Sequence, residues 1–359
     1  MEVLVLGMHR SGTSAVGAVL ELLGLNWGKF GEGLPADEDN PKGYWERKDI
    51  VELNDFLLEV CEGRWDKVSK FSLAQLSSEN RDKFHRKAKL ILENFHDKEP
   101  FFIKDPRLCL TLKEWVPLLS KPVGLLVYRD PLQVAQSLAK RNSMPIPVGL
   151  ALWQFYWHSV SSGLGRLPFF VIYHEELMKN PVEVVHQLFS FLQKNGGSKL
   201  ELPETESILA LIEPTLFRHR GRCEEQMNLM SAQQLQLMQD FEHRKNIKEI
   251  NFEELSDQAW EWLKFYEETV MIREGLEKQL LQLQIEHKIT SKKLEQLWRK
   301  SESWLRSLYQ EVDRLLDSKE YRVGNAVLLK RLRLKKREKG HLIDQIIAKF
   351  EALKQELKK

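Results

Sequence analysis

The stretch VLVLGMHRSGTS, Val3 to Ser14, constrains the fold of this chain more than any other. Four consecutive apolar residues read as a strand buried on both faces, and they break at once into a glycine-bearing turn followed by the helical pattern AVGAVLELLGL from Ala15. A strand that runs through such a turn into a helix collects backbone N–H groups at the positive end of the helix dipole, which makes an anion site. Gly7 and Gly12 allow the bend, and Thr13 and Ser14 add hydroxyl donors in the first helical turn.

Three further apolar runs fit buried parallel strands: FFI at Phe101 to Ile103, VGLLVY at Val123 to Tyr128 and FFVIY at Phe169 to Tyr173. Helical patterns lie between and after them, among them PVEVVHQLFSFLQK, where Pro181 takes a favoured first helical position. Strands alternating with helices predict an α/β, three-layer domain around a central parallel sheet, with the ligand beyond the carboxyl ends of the strands. At 359 residues the chain has room for that domain and an appendage. The 54 Lys+Arg nearly balance 52 Asp+Glu, so charge alone indicates no nucleic-acid partner. Cys61, Cys109 and Cys223 are far apart and form no CxxC pair, which argues against a zinc knuckle or disulfide framework and for a reducing compartment. Met1 leads straight into the first strand, and no apolar run nears the roughly 20 residues of a membrane span. The expectation is a cytoplasmic protein.

Residues 1–252 are read as the α/β domain. Beyond them glycine and proline thin out and Leu, Glu, Gln and Lys dominate, which predicts a long helix over 253–318. A 4,3 spacing runs from Leu276 through Leu280, Leu283, His287, Thr290, Leu294, Leu297, Ser301 and Trp304 to Leu308. That is the seam of a coiled coil joining copies of the chain, with a helix packed on the α/β domain as the alternative. Residues 319–359 form a basic amphipathic tail with the tract KRLRLKKREK. It reads as a solvated helix face or, alternatively, as a contact for the inner face of a membrane.

Gly7 and Gly12 have the spacing of the phosphate loop GxxxxGK[ST], but Thr13 stands where its lysine belongs. A kinase or NTPase would thereby lose its chief cation. HRSGTS instead resembles the 5′-phosphosulfate loop of the sulfotransferases that use 3′-phosphoadenosine 5′-phosphosulfate (PAPS). The resemblance implies that Arg10 replaces the lysine and that Ser11, Gly12, Thr13 and Ser14 cradle the phosphosulfate. LLVYRDPLQVAQSLAKR, from Leu125, resembles that family's 3′-phosphate element, which implies Arg129 and Ser137 as its phosphate grip. An arginine fork suits two phosphate oxygens, and Pro131 starts a helix that carries Ser137 alongside. The alternative for Arg129 alone is a salt bridge with a carboxylate such as Asp130.

FFIKDPRLCL is similar to the strand end at which Lys104 would approach the sulfuryl oxygens. Pro106 stands where the small-molecule branch has its general-base histidine, and KDP resembles branches whose base is an upstream glutamate. That implies Glu46, in NPKGYWE, as the base, with Asp105 in reserve. A carboxylate beside Tyr44 and Trp45 is a candidate for a raised pKa. The plainer reading makes Glu46 an acidic residue in a helix's first turn.

VIYHEELMKNP resembles a further element of the family, although Tyr173 and His174 stand where Arg and Tyr are usual. FRHRGRCEE resembles its final basic-Gly loop, which implies contacts from Arg218 and Arg220. The resemblance as a whole implies sulfuryl transfer from PAPS to a hydroxyl acceptor, without a metal because fixed cations replace magnesium. SKEYRVGNAVLLKRLR resembles a stretch that follows coiled coils in polysaccharide glycosyltransferases, and so points to a glycan acceptor. The competing readings are a phosphate-loop kinase or NTPase and a nucleotide-binding scaffold assembled through its helix.

Overall fold

The structure is a computed structural model that describes residues 1–28, 32–35, 43–95, 99–212, 227–317 and 348. Arg218 and Arg220 and the basic tract from Lys330 to Lys339 lie outside the described residues. The chain divides into two units, Met1–Arg273 and Glu274–Lys359.

The first unit is an α/β fold built on four parallel strands: β1 (Glu2–Leu6), β2 (Phe101–Lys104), β3 (Pro122–Tyr128) and β4 (Phe169–Tyr173), in the order β2-β1-β3-β4. Helix α1 (Thr13–Leu22) follows β1; α2 (Lys48–Val60) and α3 (Ser78–Glu93) complete the crossover to β2. After β2 comes α4 (Leu108–Trp115), and after β3 come α5 (Pro131–Asn142) and α6 (Ile146–Leu164). Then α7 (His174–Lys179), α8 (Pro181–Lys194) and α9 (Thr205–Leu211) follow β4, and α10 (Ala232–Glu242) and α11 (Asp257–Asp317) complete the described helices.

Strand side chains alternate between two apolar layers, which is why the strands read as unbroken hydrophobic runs. Leu4, Leu6, Ile103 and Leu126 face a core shared with α2, α3, α4 and α6. Val3, Val5, Phe102 and Leu125 face the core of α1, α7 and α8. Because α1 lies on one face while α4 and α5 lie on the other, the chain diverges at the carboxyl end of β1. A crevice at such a switch point is where open α/β sheets bind ligands.

The first turns of α11 belong to this unit: Ala259, Leu263 and Val270 are buried. Within the second unit, residues 274–317 continue as one helix, and its 4,3 positions Leu276, Leu280, Leu283 and Leu297 are each about 60% exposed. Leu281, Ile285 and Ile289 are exposed as well. Among the described residues no helix is long and apolar enough to cross a membrane.

Candidate functional site

Each of the four strands delivers a polar residue at or just beyond its carboxyl end: Arg10 after β1, Lys104 ending β2, Arg129 after β3 and His174 after β4. The parallel order therefore gathers residues that are more than a hundred positions apart.

The loop after β1 turns sharply. Ser11 N–H donates to the Met8 carbonyl (3.1 Å), and both Arg10 (φ 70°) and Gly12 (φ 92°) take the left-handed conformation. For an arginine that conformation is strained, and strain of this kind collects at functional sites. Gly12 has a second reason to be glycine, since a Cβ built there would come within 2.1 Å of His174 Cδ2. Ser11 and Thr13 are buried within the loop, and α1 begins with no acidic residue in its first turn. The positive end of the α1 dipole is thus not offset by a carboxylate of that turn.

The two motifs expected to grip phosphate meet here. Arg10 Nε donates to Ser137 Oγ at 2.8 Å, and Arg129 Nη1 donates to the Arg10 carbonyl at 2.8 Å. Arg129 Nε also donates to Gln133 Oε1 at 3.2 Å, so its hydrogen bonds reach only neutral oxygens. Asp130 does not pair with it; its Oδ1 caps α5 by accepting from Gln133 N–H at 3.1 Å. Burial first, then repulsion from Arg10, lowers the Arg129 pKa to about 10, with Asp130 opposing. Arg129 stays charged at neutral pH, but its charge is costly without an anion. His174 faces the same charge: burial and Arg129 bring its pKa down to about 3, so the imidazole packed against Gly12 is neutral.

Lys104 Nζ donates to Glu46 Oε1 at 2.5 Å and to Ser14 Oγ at 3.2 Å, with both charged side chains buried. Burial raises the Glu46 pKa, Lys104 pulls it back, and Asp105 adds to the rise. Glu46 is not in a helix's first turn; it precedes Arg47, the N-cap of α2. Its segment is pinned from several sides. Trp45, in a left-handed conformation (φ 53°), packs on Gly17 of α1 and donates its Nε1–H to Glu21 at 2.7 Å. Glu21 also accepts from Trp27 at 2.9 Å. Leu34 N–H donates to the Glu46 carbonyl, and Arg47 bridges Glu32 and Asp49 beside the Phe95 ring.

Asp105, expected as the base in reserve, is held by different partners from Glu46. It is wholly buried and accepts hydrogen bonds from Asn54 Nδ2 (2.8 Å), Arg107 N–H (3.0 Å) and Arg107 Nη1 (3.0 Å). Asn54 in turn accepts from Thr111 Oγ1 and Trp115 Nε1. A buried carboxylate held by three hydrogen bonds ties α2 to the start of α4.

Sequence reasoning did not single out Gln133, the contact of His174 with the loop, or His9. The signal for His174 was its position directly after a strand, where ligands collect in this architecture. His9 offered none, because its neighbours come from distant segments. Among the described residues, no group of three His, Cys, Asp or Glu is gathered as a metal set would be.

No family model matches the chain, and no curated protein matches it. Among the solved structures similar to it are three sulfotransferases or sulfotransferase domains. They are a sulfotransferase domain from the curacin biosynthetic pathway (16% identity, TM-score 0.36, covering 59% of this chain and 77% of that one), one from the Synechococcus PCC 7002 olefin synthase (14%, 0.39, 74% and 94%) and sulfotransferase STF9 from Mycobacterium avium (13%, 0.41, 67% and 75%).

Proposed function

We propose that the chain is a sulfotransferase that moves the sulfuryl group of PAPS to a hydroxyl acceptor, most readily a glycan. One observation carries the reading: Arg10, Arg129 and Ser137 converge through two 2.8 Å hydrogen bonds beside the loop that opens α1. Two neighbouring guanidinium groups, one of them destabilised by burial and by the other, suit a multiply charged phosphate ligand. An ordinary phosphate loop would need a lysine where Thr13 stands, which disfavours the kinase and NTPase reading. The intact Glu46–Lys104 pair disfavours an inert scaffold.

PAPS supplies the activated sulfuryl group; the chain supplies placement and charge. Glu46, poised by burial to hold a proton, takes the proton of the acceptor hydroxyl as the acceptor oxygen bonds to sulfur and the bond to the 5′-phosphate oxygen breaks. Lys104, reaching between Glu46 and Ser14, and Arg10, on the loop, stabilise the charge that builds on the transferring and departing oxygens. Arg129 and Ser137 hold the 3′-phosphate, and Ser11 to Ser14 line the phosphosulfate end. Action in the cytoplasm belongs to the same proposal, as do contact of the basic tail with a membrane surface and pairing of two copies along the exposed 4,3 stripe of α11.

The test is thermal stabilisation by 3′,5′-ADP against 5′-AMP. A clear preference for the 3′-phosphorylated nucleotide, abolished by Arg129→Ala, is expected. Equal stabilisation by the two nucleotides would remove the sulfotransferase reading.

A further inference from the structure

The left-handed backbone of Arg10 (φ 70°) persists only where its surroundings impose it. On one side hydrogen bonds do so, since its Nε donates to Ser137 and its carbonyl accepts from Arg129. On the other side stands His9, and packing holds it. The His9 ring lies on Trp65 (centroids 4.5 Å apart, planes at 51°) and meets the edge of Tyr156 at 6.3 Å. Its Nε2 is closed off from solvent and meets no hydrogen-bond partner among the described residues. With nothing bonded to that atom, the place of Trp65 sets the place of the ring.

Trp65 lies in the connection between α2 and α3, and two helices grip that connection. From α6, Tyr156 OH donates to the Trp65 carbonyl at 2.8 Å. From α11, Tyr266 OH donates to Asp66 Oδ2 at 3.4 Å, and Glu267 accepts from Ser69 N–H at 2.7 Å and from the Ser69 hydroxyl. The turn between them is closed by Arg64 N–H to the Lys67 carbonyl (2.8 Å), its reciprocal (3.1 Å) and the Arg64–Asp66 ion pair. The two helices also meet each other, Trp260 against Phe155 edge to face at 5.8 Å. Ala259, Leu263, Tyr266, Glu267 and Val270 recur at the spacing of one helix face, and that face packs on the α/β unit. Glu267 is buried and pairs with no cation among the described residues. Enclosing a carboxylate is costly unless its hydrogen bonds are well made, and both of these go to one serine of the segment that seats His9.

We propose, resting on the transfer reading above, that Glu267 and Trp65 are positioning residues for the donor loop. Glu267 clips the 64–69 segment to α11, Trp65 seats His9, and His9 holds the strained backbone from which Arg10 meets the nucleotide. The start of the helical extension is therefore required for donor binding, although it lies some 250 positions after the loop in sequence.

The experiment uses the full chain and its Glu267→Ala, Glu267→Gln and Trp65→Leu variants. NMR of histidine-labelled protein follows the His9 ring, assigned with His9→Gln, and calorimetry measures affinity for 3′,5′-ADP, 5′-AMP and 3′-AMP. In wild type the ring is expected to stay neutral through the ordinary histidine range around 6.5, because burial first, then the charges of Arg107, Lys104, Arg141 and Arg10, holds its pKa well below that value. Glu267→Ala should let the ring titrate nearer that range and should weaken 3′,5′-ADP binding by about tenfold, the worth of one charged hydrogen bond. Binding of 3′-AMP, whose phosphate meets Arg129 and Ser137, should stay as it was. Glu267→Gln keeps an acceptor oxygen for Ser69 and should recover part of both effects. Trp65→Leu removes the seat without touching α11; it should reproduce both effects, and it decides the matter if Glu267→Ala does not fold. A Glu267→Ala protein that unfolds at lower temperature yet keeps the wild-type His9 titration and 3′,5′-ADP affinity overturns the proposal. Equal loss of 3′-AMP binding overturns it too, as do wild-type values of both readouts in Trp65→Leu. A wild type that binds 5′-AMP as tightly as 3′,5′-ADP removes the transfer reading itself, and this role with it, even where the His9 titration responds.

Discussion

Replacing Lys104 by methionine tests the centre of the site through stability alone. Lys104 Nζ lies 2.5 Å from Glu46 Oε1, with side-chain exposures of 2% and 7%. Removing the ammonium leaves a carboxylate enclosed near a second one, the wholly buried Asp105. Breaking a buried pair from one side costs about 3–5 kcal/mol, because the remaining charge stays buried without its partner. For a domain of this size that corresponds to a drop in Tm on the order of 10 °C. The loss should depend on pH with a definite sign. Burial already raises the Glu46 pKa, and without Lys104 its main downward pull is gone. A carboxyl group whose folded pKa exceeds the unfolded value of about 4.3 contributes stability below that value, and the contribution is lost as pH rises through the folded pKa. The variant should therefore lie closest to wild type near pH 4 and fall furthest behind above neutrality. Adding Glu46→Gln removes the stranded charge and should recover most of the loss at pH 8, since neutral replacements of a buried pair are often well tolerated. Urea unfolding at pH 5 and pH 8 measures all three proteins. A cost below about 1 kcal/mol at pH 8, or a double variant no better than the single one, would refute the account of a buried, coupled pair.

Gly12→Ala forces an L side chain into φ 92° and sets its Cβ against His174, so it should abolish stabilisation by 3′,5′-ADP in a thermal-shift assay. The additional His174→Ala change makes room but leaves the left-handed backbone strain of about 1–2 kcal/mol, and so should restore binding only in part. Glu46→Gln should keep nucleotide binding and lower kcat by about 10²-fold or more, as expected for loss of a general base and measured by transfer of labelled sulfate. Leu280→Glu with Leu283→Glu places charge on the exposed 4,3 stripe of α11 and should shift the chain toward monomer in sedimentation equilibrium, leaving 3′,5′-ADP binding unchanged.

The strands were legible because each is an apolar run, fully buried in β1 and β2 and partly so in the edge strand β4, a property of consecutive residues that needs no knowledge of partners. The turn between β1 and α1 was legible for the same local reason: Gly7 and Gly12, with Thr13 and Ser14, state a strand-to-helix turn in eight residues. Harder were the roles that depend on what lies opposite. Asp105 and Glu46 are both carboxylates near the transfer lysine in prospect, and only packing separates them. Asn54 and Arg107 close around Asp105, while Trp45, Glu21 and Leu34 aim Glu46 at Lys104.

Taken by itself, the sequence determined an α/β domain with a glycine-bearing strand-to-helix turn carrying arginine in place of lysine, and a long helical extension. These follow from local periodicity and the conformational freedom of glycine. Tertiary structure alone decided that Arg10 bonds Ser137, 127 positions away, that Lys104 pairs with Glu46 across 58 positions, and that His9 is walled in by Trp65. Such contacts are products of the strand order β2-β1-β3-β4, which brings four carboxyl ends to one edge of the sheet. Short-range pattern carries no record of that order; the burial that sets the charge states of His9, Glu46 and Arg129 exists only once the layers have closed.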